Sequence, residues 1–104
     1  MTTTLDDESR ANALAEAIVE ARLAACVQCL PIRSVYRWEG RVERAAETLL
    51  AAKTRTALVP ELTAFIRARH PYRVPEIVAW PLADGLPDYL AWIRDETAPL
   101  QPVG

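Results

Sequence analysis

The sequence is poor in the residues from which catalytic and metal sites are usually built. It has one histidine, two cysteines and three glycines among 104 residues. Four cysteine or histidine ligands cannot be assembled from one such chain, which excludes a structural zinc site of that kind. Three glycines are too few for a glycine-rich phosphate loop, and no serine or cysteine nucleophile pairs recognisably with the histidine. We therefore expect a protein that is not an enzyme and has no obligatory cofactor.

Long hydrophobic runs are also missing. The longest purely apolar stretches have only a few residues, as at 23–27, whereas a helix that spans a membrane needs about 20. No membrane span is predicted. The chain does not open with a basic segment followed by an apolar one, so no secretory signal is expected and the cytoplasm is the predicted location.

A charge excess of either sign is absent as well. Lysine and arginine total 12 against 14 aspartate and glutamate, which gives a formal net charge of −2. Such a chain has no strong basic field for phosphate backbones, so no nucleic-acid partner is expected. The hydrophobic fraction of 51% supports a core, and this length fits one domain. We predict a single domain over 1–104 with a short proline-containing tail at 97–104.

The first half of the chain is predicted to form a strand, a helix and a long hairpin. Residues 1–4 favour a strand, and the three acidic residues at 6–8 suit the first turn of a helix that begins near Leu5. Apolar residues then recur with helical spacing, so the helix is predicted to continue to about Leu23. Two strands follow, over 26–38 and 42–54.

The turn at 39–40 sets the register of this hairpin. A two-residue turn opposes Trp38 to Arg41 and Tyr36 to Glu43, whereas a three-residue loop with Gly40 in the left-handed region shifts the register by one. A helix over 41–52 is the competing interpretation, because the two alanines at 45 and 46 are poor strand formers. The alternation of polar and apolar residues favours the strand.

The second half is predicted to form a helix from Thr56 to near His70, a strand over 76–82 and a short helix after Pro87. The resulting order is strand, helix, strand, strand, helix, strand and a C-terminal helix. It predicts an α+β fold, the ferredoxin-like βαββαβ sandwich, with an antiparallel sheet on one side and helices on the other. An apolar open sheet face needs cover from another subunit, so an oligomer is expected.

Five short segments resemble the CutA family of divalent-cation tolerance proteins in order and spacing. They are ARLAAC at 21–26, SVYRWEG at 34–40, KT at 53–54, HPYRVPE at 70–76 and DYLAW at 88–92. The resemblance runs from about residue 3 to residue 93. It implies a ferredoxin-like fold assembled as a tight homotrimer, similar to the PII signalling trimers, with cytoplasmic members in bacteria.

The sequence also departs from the family pattern. The first strand is shorter than usual, and Thr3 stands near the place where some members have a cysteine, so copper chemistry at that thiol is not carried over. Between Pro31 and Ser34 the chain is one residue shorter than the usual Pro-Gly-x-x-Ser. Arg37 and Arg73 replace less charged residues. We expect a hairpin edge of different shape.

The two cysteines form a C-x-x-C spacing at Cys26 and Cys29. This spacing serves redox chemistry when it opens a helix, but residues three apart on a strand point to opposite faces. The two sulfurs should then share neither a metal nor a disulfide, and we interpret both as small buried residues. The resemblance agrees, because the thiol at the position of Cys26 is mostly buried in CutA proteins.

The single histidine, His70, leaves two interpretations open. At a helix C-terminus it is most often a capping or packing residue. Alternatively, its neutral imidazole binds Cu(II) or Zn(II). Such a site needs further ligands, from Glu76, from a neighbouring chain or from the thiol of Cys26, and weak binding of a divalent cation is expected.

One face of the hairpin gathers aromatic and charged side chains, because the period of two keeps alternate residues together. The simplest interpretation of this face is a structural ion pair between its charged side chains, together with packing of its aromatic side chains against another subunit. The alternative is an inter-subunit cleft that binds a small anion or metabolite. The candidate cleft residues are Tyr36, Trp38, Glu47, Lys53, His70 and Tyr72.

Three functions follow from these observations. The first is a trimeric CutA-like protein involved in divalent metal ion tolerance, and copper tolerance in particular, which binds the metal weakly. The second is a PII-like signalling or scaffold trimer that binds a small ligand in inter-subunit clefts. The third is an enzyme with an unrecognised carboxylate–lysine site. The first is favoured.

Overall fold

A long antiparallel hairpin dominates the computed structural model, which describes residues 1–97. The strands are β1 (Thr2–Leu5), β2 (Cys26–Trp38), β3 (Arg41–Lys53) and β4 (Ile77–Val78), and the helices are α1 (Glu8–Glu20), α2 (Val59–Arg69) and α3 (Pro87–Thr97). The predicted tail, apart from its first residue, lies outside the described residues.

The four strands form one sheet in the order β2-β3-β1-β4, and every neighbouring pair is antiparallel. The helix α1 connects β1 to β2 and α2 connects β3 to β4, and each connection passes over the one strand that lies between the pair in the sheet. This arrangement confirms the predicted ferredoxin-like α+β fold. None of the helices in the described part of the chain is long and apolar enough to cross a membrane.

The ends of α1 differ from the prediction. Leu5 belongs to β1, where it pairs with Thr48, and the helix begins only after Asp7, whose Oδ1 accepts a hydrogen bond of 3.1 Å from the amide of Arg10. At the other end, Arg22 adopts the left-handed conformation with φ of 60°. A left-handed residue ends a helix, so α1 stops before the predicted Leu23.

The hairpin follows the predicted register. Glu39 and Gly40 both have positive φ, 48° and 78°, as a two-residue type I′ turn requires. Trp38 therefore opposes Arg41 in the ladder. Residues 41–52 lie within β3, so the helical alternative for them is wrong.

The last strand is much shorter than predicted. Two residues of β4 pair with Thr2 and Thr3 of β1, whereas the sequence predicts a strand over 76–82. A short β1 offers little edge to pair with, and Pro81 carries no amide hydrogen for a ladder. Trp80 and Leu82 are consequently exposed.

The second helix and the core agree with the sequence pattern. A 3₁₀ turn at Thr56–Leu58 precedes α2, and α2 ends immediately before His70-Pro71. The helices α1 and α2 cover one face of the sheet, and their apolar residues form one core with those of β1 and β3. The largest fully buried apolar side chains are Leu5, Ile18, Leu50, Leu62 and Ile66.

The core occupies only part of the hairpin. On the helix side of β3, Thr48, Leu50 and Ala52 are buried, but the residues at 42, 44 and 46 are exposed. The helices therefore cover the hairpin only as far as its middle. We call residues 33–46 the hairpin arm, since they extend beyond the core.

Candidate functional site

A cleft of about 430 Å³ lies on the sheet face opposite the helices. It opens between the middle of the hairpin and the segment 70–76, which follows α2 and crosses this face beside β1. Tyr36, Trp38 and Glu47 line it from the hairpin, and Val74 and Glu76 line it from the segment. We call it the carboxylate cleft.

A chain of hydrogen bonds fixes the segment on the sheet. The amide of Tyr72 donates to Nδ1 of His70 at 3.1 Å, and Nε2 of His70 lies 2.8 Å from the carbonyl oxygen of Thr4. The Tyr72 hydroxyl then donates to Oε2 of Glu47 at 2.7 Å. His70, Tyr72 and Glu47 thus form one connected network, as the sequence placed them in one site.

The hydroxyl of Tyr72 is held in its neutral form. Burial raises the pKa of Tyr72 above its ordinary value, and the hydrogen bond to the Glu47 carboxylate raises it further. A tyrosinate beside this carboxylate would place two negative charges together and would lose its donor. Tyr72 therefore serves as a permanent hydrogen-bond donor that orients Glu47.

Both nitrogens of His70 are engaged in this network. Because the Tyr72 amide donates to Nδ1, we assign the proton to Nε2, which donates to Thr4. A metal ion can bind this imidazole only after one of these two hydrogen bonds breaks. With both ring nitrogens hydrogen-bonded within the chain, this arrangement fits the packing role considered for His70.

The carboxylate cleft has a negative lining. Glu47 and Glu76 are its only charged lining residues in the described part of the chain, and the hydroxyl of Thr2 lies 3.5 Å from Oε2 of Glu76. Two carboxylates with no basic residue among the lining side chains attract a cation and repel an anion. The guanidinium of Arg73, at the rim, is paired with Glu39. The cleft therefore favours a positively charged ligand over the small anion considered from the sequence.

Lys53 and Cys26 lie away from this cleft. Lys53 is on the same sheet face as Glu47, but six residues further along β3, which is about 20 Å at the usual rise per residue. Its ammonium donates to Oε1 of Gln28 at 3.0 Å. Cys26 pairs with Lys53 in the ladder and so lies at the same far end.

The two thiols are free and occupy opposite faces of β2, as expected. The expectation that both are buried is wrong for this chain, because Cys26 is half-buried and Cys29 is exposed. β2 is an edge strand, and the helices cover little of its surface. Partial burial of the sulfur still raises the pKa of the Cys29 thiol, so this thiol is mostly protonated near neutral pH.

No three histidine, cysteine, aspartate or glutamate side chains within residues 1–97 lie close enough together to hold a metal ion. His70, Cys26 and Glu76, the metal ligands predicted from the sequence, do not form a cluster. Carboxylates prefer hard cations, and imidazole prefers Cu and Zn. A metal ion at the cleft would thus need donors from water or from a second chain.

Two further residues at the cleft, Arg73 and Val74, were not predicted from the sequence to belong to it. The guanidinium of Arg73 lies 5.4 Å from the centre of the Trp38 ring, and one of its nitrogens is 3.9 Å from the carboxylate of Glu39. Val74 lines the cleft itself. Their positions depend on how the segment 70–76 folds back over the sheet, and no local sequence pattern reports that.

A family model described as CutA1 divalent ion tolerance protein matches residues 1–96. The chain belongs to this family. The resemblance predicted from the five short segments is therefore confirmed across the described domain.

Similar proteins of the CutA1 family occur in bacteria and in animals. The chain is 48% identical over 95 residues to the divalent-cation tolerance protein CutA of Thermus thermophilus, covering 90% of this chain and 92% of that protein. It is 46% identical to Protein CutA of mouse, again over 90% of this chain. That match covers 54% of the mouse protein, so the chain spans about half the length of its mouse relative.

Solved structures of CutA1 proteins share the fold. The divalent cation tolerance protein from Thermus thermophilus superposes with a TM-score of 0.89 at 47% identity, covering 93% of this chain and 95% of the other. The structure described as the periplasmic divalent cation tolerance protein CutA from Archaeoglobus fulgidus gives 0.90 at 35% identity, covering 92% and 94%. Family and fold thus agree.

Proposed function

We propose that this protein acts in divalent metal ion tolerance by binding ions such as Cu(II) weakly in the carboxylate cleft, as a homotrimer in the cytoplasm. The observation that supports this most directly is the negative lining, since Glu47 and Glu76 line one cleft without a basic residue among its lining side chains. The names of the CutA relatives, which describe divalent-cation tolerance, point the same way.

Weak binding follows from the number and kind of donors. Two carboxylates give a divalent cation part of its coordination, and water or a neighbouring subunit would supply the rest. His70 does not contact Glu47 directly, because Tyr72 lies between them and donates a hydrogen bond to each. Its imidazole would become a ligand only by giving up one of its two hydrogen bonds, to the carbonyl of Thr4 or from the amide of Tyr72, which reduces the net affinity that it can contribute.

The proposed homotrimer rests on the apolar surface of the single chain. On the hairpin, Leu30, Val35 and Val42 are more than half exposed, and further large apolar residues at 80–92 are exposed as well. Monomers rarely leave apolar patches of this extent in water. The outer edge of β2 is unpaired in the sheet, and such an edge is normally covered. The trimeric stoichiometry comes from the resemblance to CutA and PII proteins.

The cytoplasmic location is supported by the chemistry of the thiols. Both cysteines are free, and Cys29 is exposed, which suits a reducing compartment. Some relatives carry other locations in their names, since the Arabidopsis protein is called chloroplastic. Fractionation of the native host with an antibody against this chain would test the location directly.

Calorimetric titration with Cu(II) tests the metal proposal. Glu47→Gln and Glu76→Gln remove the charges but keep the shapes of the side chains, and each is expected to abolish most of the binding. The matched control is Glu16→Gln on the exposed side of α1, which should bind like the wild type. Retention of full affinity in both cleft variants would overturn the proposal.

Two further variants test the other predicted ligands. Cys26→Ser should retain binding, because Cys26 lies at the far end of the sheet. His70→Ala should weaken binding if the imidazole completes the coordination in the assembled protein. Loss of binding in Cys26→Ser with retention in His70→Ala would move the metal site to the thiol.

The second candidate, a PII-like signalling or scaffold trimer that binds a small ligand, is favoured by the aromatic wall of the cleft. Tyr36 and Trp38 both line it, and flat aromatic surfaces suit organic ligands better than bare ions. Titration with a panel of nucleotides and of organic cations, on the wild type and on Trp38→Ala, would separate this function from metal binding.

A further inference from the structure

The carboxylate cleft is far larger than a metal ion and only partly polar. Its volume is about 430 Å³, whereas one water molecule takes up about 30 Å³ in the liquid. Besides its carboxylates and aromatic rings, it is lined by the apolar side chains of Ile32, Leu49 and Val74. Organic ligands bury their surface against such walls, but a hydrated ion gains nothing from them. Size and lining therefore indicate a ligand with an apolar body.

Each carboxylate of the cleft keeps one oxygen for a ligand. Oε2 of Glu47 accepts from the Tyr72 hydroxyl, and Oε2 of Glu76 lies 3.5 Å from the hydroxyl of Thr2. Among residues 1–97, Oε1 of neither glutamate accepts a hydrogen bond or joins an ion pair. A carboxylate has about four lone-pair sites, so both glutamates can accept further hydrogen bonds from a cation.

A buried hydroxyl group lines the same cleft. Thr4 is only 7% exposed, and it faces the cleft beside its ladder partner Leu49. Its carbonyl oxygen is bonded to His70, but within the described part of the chain its hydroxyl has no hydrogen-bond partner. Buried polar groups are normally partnered. A ligand with an N–H donor would supply the missing partner.

The aromatic wall already attracts a cation from within the chain. The guanidinium of Arg73 lies 5.4 Å from the centre of the Trp38 ring, which is within the range of a cation–π interaction. Arg73 is held loosely, because its side chain is 76% exposed and its contact with Glu39 is 3.9 Å long. Exposed ion pairs of this kind contribute little. Arg73 therefore competes with any other cation that approaches the ring.

We propose that the carboxylate cleft binds a small organic ammonium ion, a primary amine on an apolar body. A primary ammonium has three N–H donors, one for each of the acceptors on Glu47, Glu76 and Thr4. The apolar body packs against the rings of Tyr36 and Trp38. This inference rests on the proposed function in one respect, since it takes the carboxylate cleft as the binding site.

The site does not require this sheet face to stay open to solvent. Trp38 lines the cleft, and in the proposed homotrimer the open sheet face is covered by a neighbour, so the cleft lies at a subunit boundary. A neighbour there narrows the opening and excludes water. The attraction between an ammonium and a carboxylate is stronger where water is excluded.

Calorimetric titration with benzylammonium chloride, in the presence of a metal chelator, tests this proposal. Saturable binding is expected for the wild type. Benzyl alcohol has nearly the same shape without the charge, and should bind at least roughly tenfold more weakly, because the charged hydrogen bonds are lost. Absence of saturable benzylammonium binding, or equal affinity for both compounds, would overturn the proposal.

Two substitutions locate the ammonium group. Glu76→Gln should lower the affinity for benzylammonium by at least roughly tenfold, and Thr4→Val by about fivefold. Thr3→Val is the matched control, because Thr3 pairs with the buried Leu50 and faces the helices. It should bind like the wild type. Equal weakening in Thr3→Val and Thr4→Val would place the effect in the strand and overturn the site.

Arg73→Gln should raise the affinity by about two- to fivefold, because a competing cation leaves the Trp38 ring. Arg67→Gln changes the net charge equally at an exposed position of α2 and should have no effect. An equal rise in both variants would reduce the effect to general charge, and would overturn the placement of the ligand beside this ring.

Two further measurements separate this proposal from its neighbours. Binding of Cu(II) without binding of benzylammonium would overturn the ammonium site alone, whereas binding of neither would overturn the cleft as a binding site. Light scattering should give the same oligomeric mass for the wild type, Glu76→Gln and Thr4→Val. A changed mass in these variants would show that a neighbouring chain occupies the cleft, and would overturn the ligand site.

Discussion

Tyr72 donates a hydrogen bond of 2.7 Å to Oε2 of Glu47 and so fastens the segment that follows α2 to the middle of β3. The two residues are 25 positions apart in the chain. The acceptor is a carboxylate, and hydrogen bonds to charged acceptors are roughly twice as strong as neutral ones. This contact therefore controls the position of one wall of the carboxylate cleft.

Removal of this hydroxyl should destabilise the protein. We expect Tyr72→Phe to lower the free energy of unfolding by about 1.5 kcal/mol, because the half-buried Glu47 loses a donor. Urea unfolding followed by circular dichroism at fixed protein concentration measures the change. Tyr89→Phe on α3 is the control and should match the wild type. Equal stability of all three proteins would contradict the role given to this bond.

The same bond predicts a dependence on alkaline pH. The pKa of Tyr72 is raised in the folded protein above its value of about 10 in an unfolded chain. The unfolded state therefore loses its proton first, and the contribution of Tyr72 is present below about pH 10 and lost as the pH rises beyond it. Unfolding from pH 8 to 11 should show a steeper loss of stability in the wild type than in Tyr72→Phe. Parallel curves would contradict this linkage.

Thr3 offers a stabilising substitution. Its side chain is 1% exposed, and among the described residues its hydroxyl has no hydrogen-bond partner. Thr3→Val keeps the shape and removes the buried polar group, so we expect the unfolding free energy to rise by about 1 kcal/mol. Thr97 is equally buried, but its hydroxyl donates to the carbonyl of Ile93 at 2.6 Å. Thr97→Val should therefore destabilise, and stabilisation by both changes would contradict the argument.

Substitutions at the two turn residues of the hairpin should change the stability in opposite directions. A side chain at Gly40 would meet no atom within 4 Å, so only its φ of 78° opposes substitution. Gly40→Ala should cost about 1–2 kcal/mol. Glu39, with φ of 48°, should gain stability when changed to Asn, which tolerates this conformation better. Thermal unfolding of both variants would test the type I′ turn.

Assembly can be tested through Trp38, which is 38% exposed in the single chain. Light scattering should give about three times the chain mass of 11.6 kDa. Trp38→Ala should weaken the assembly by roughly 3–5 kcal/mol, as for other buried aromatic residues, and should leave the far-ultraviolet circular dichroism unchanged. A wild-type mass near that of one chain would contradict the trimer.

The sequence predicted the hairpin well because two signals agreed there. Strand alternation specified the faces, and Glu39-Gly40 specified the register, so the pairing of Tyr36 with Glu43 was correct. The length of β4 was not predictable in the same way. It depends on how much of β1 is free to pair, which is a property of the assembled sheet.

The candidate site was also predictable only in part, because its geometry depends on contacts between distant segments of the chain. The strand period correctly placed Glu47 and Lys53 on one face, but a period gives no distance along the strand, and the two residues are six positions apart. The network of His70, Tyr72 and Glu47 depends on a segment that turns back over the sheet. Its hydrogen bonds join residues far apart in sequence, so no local pattern encodes them.

The hairpin arm has a consequence for how this protein can change. The residues at 42, 44 and 46 contribute no buried side chain to the core, so substitutions at these positions are largely neutral for folding. The stability of the single domain therefore depends on one end of the hairpin, and the surface that is presented to other molecules depends on the other. A single pair of strands can in this way acquire new specificities while the domain that carries it stays the same.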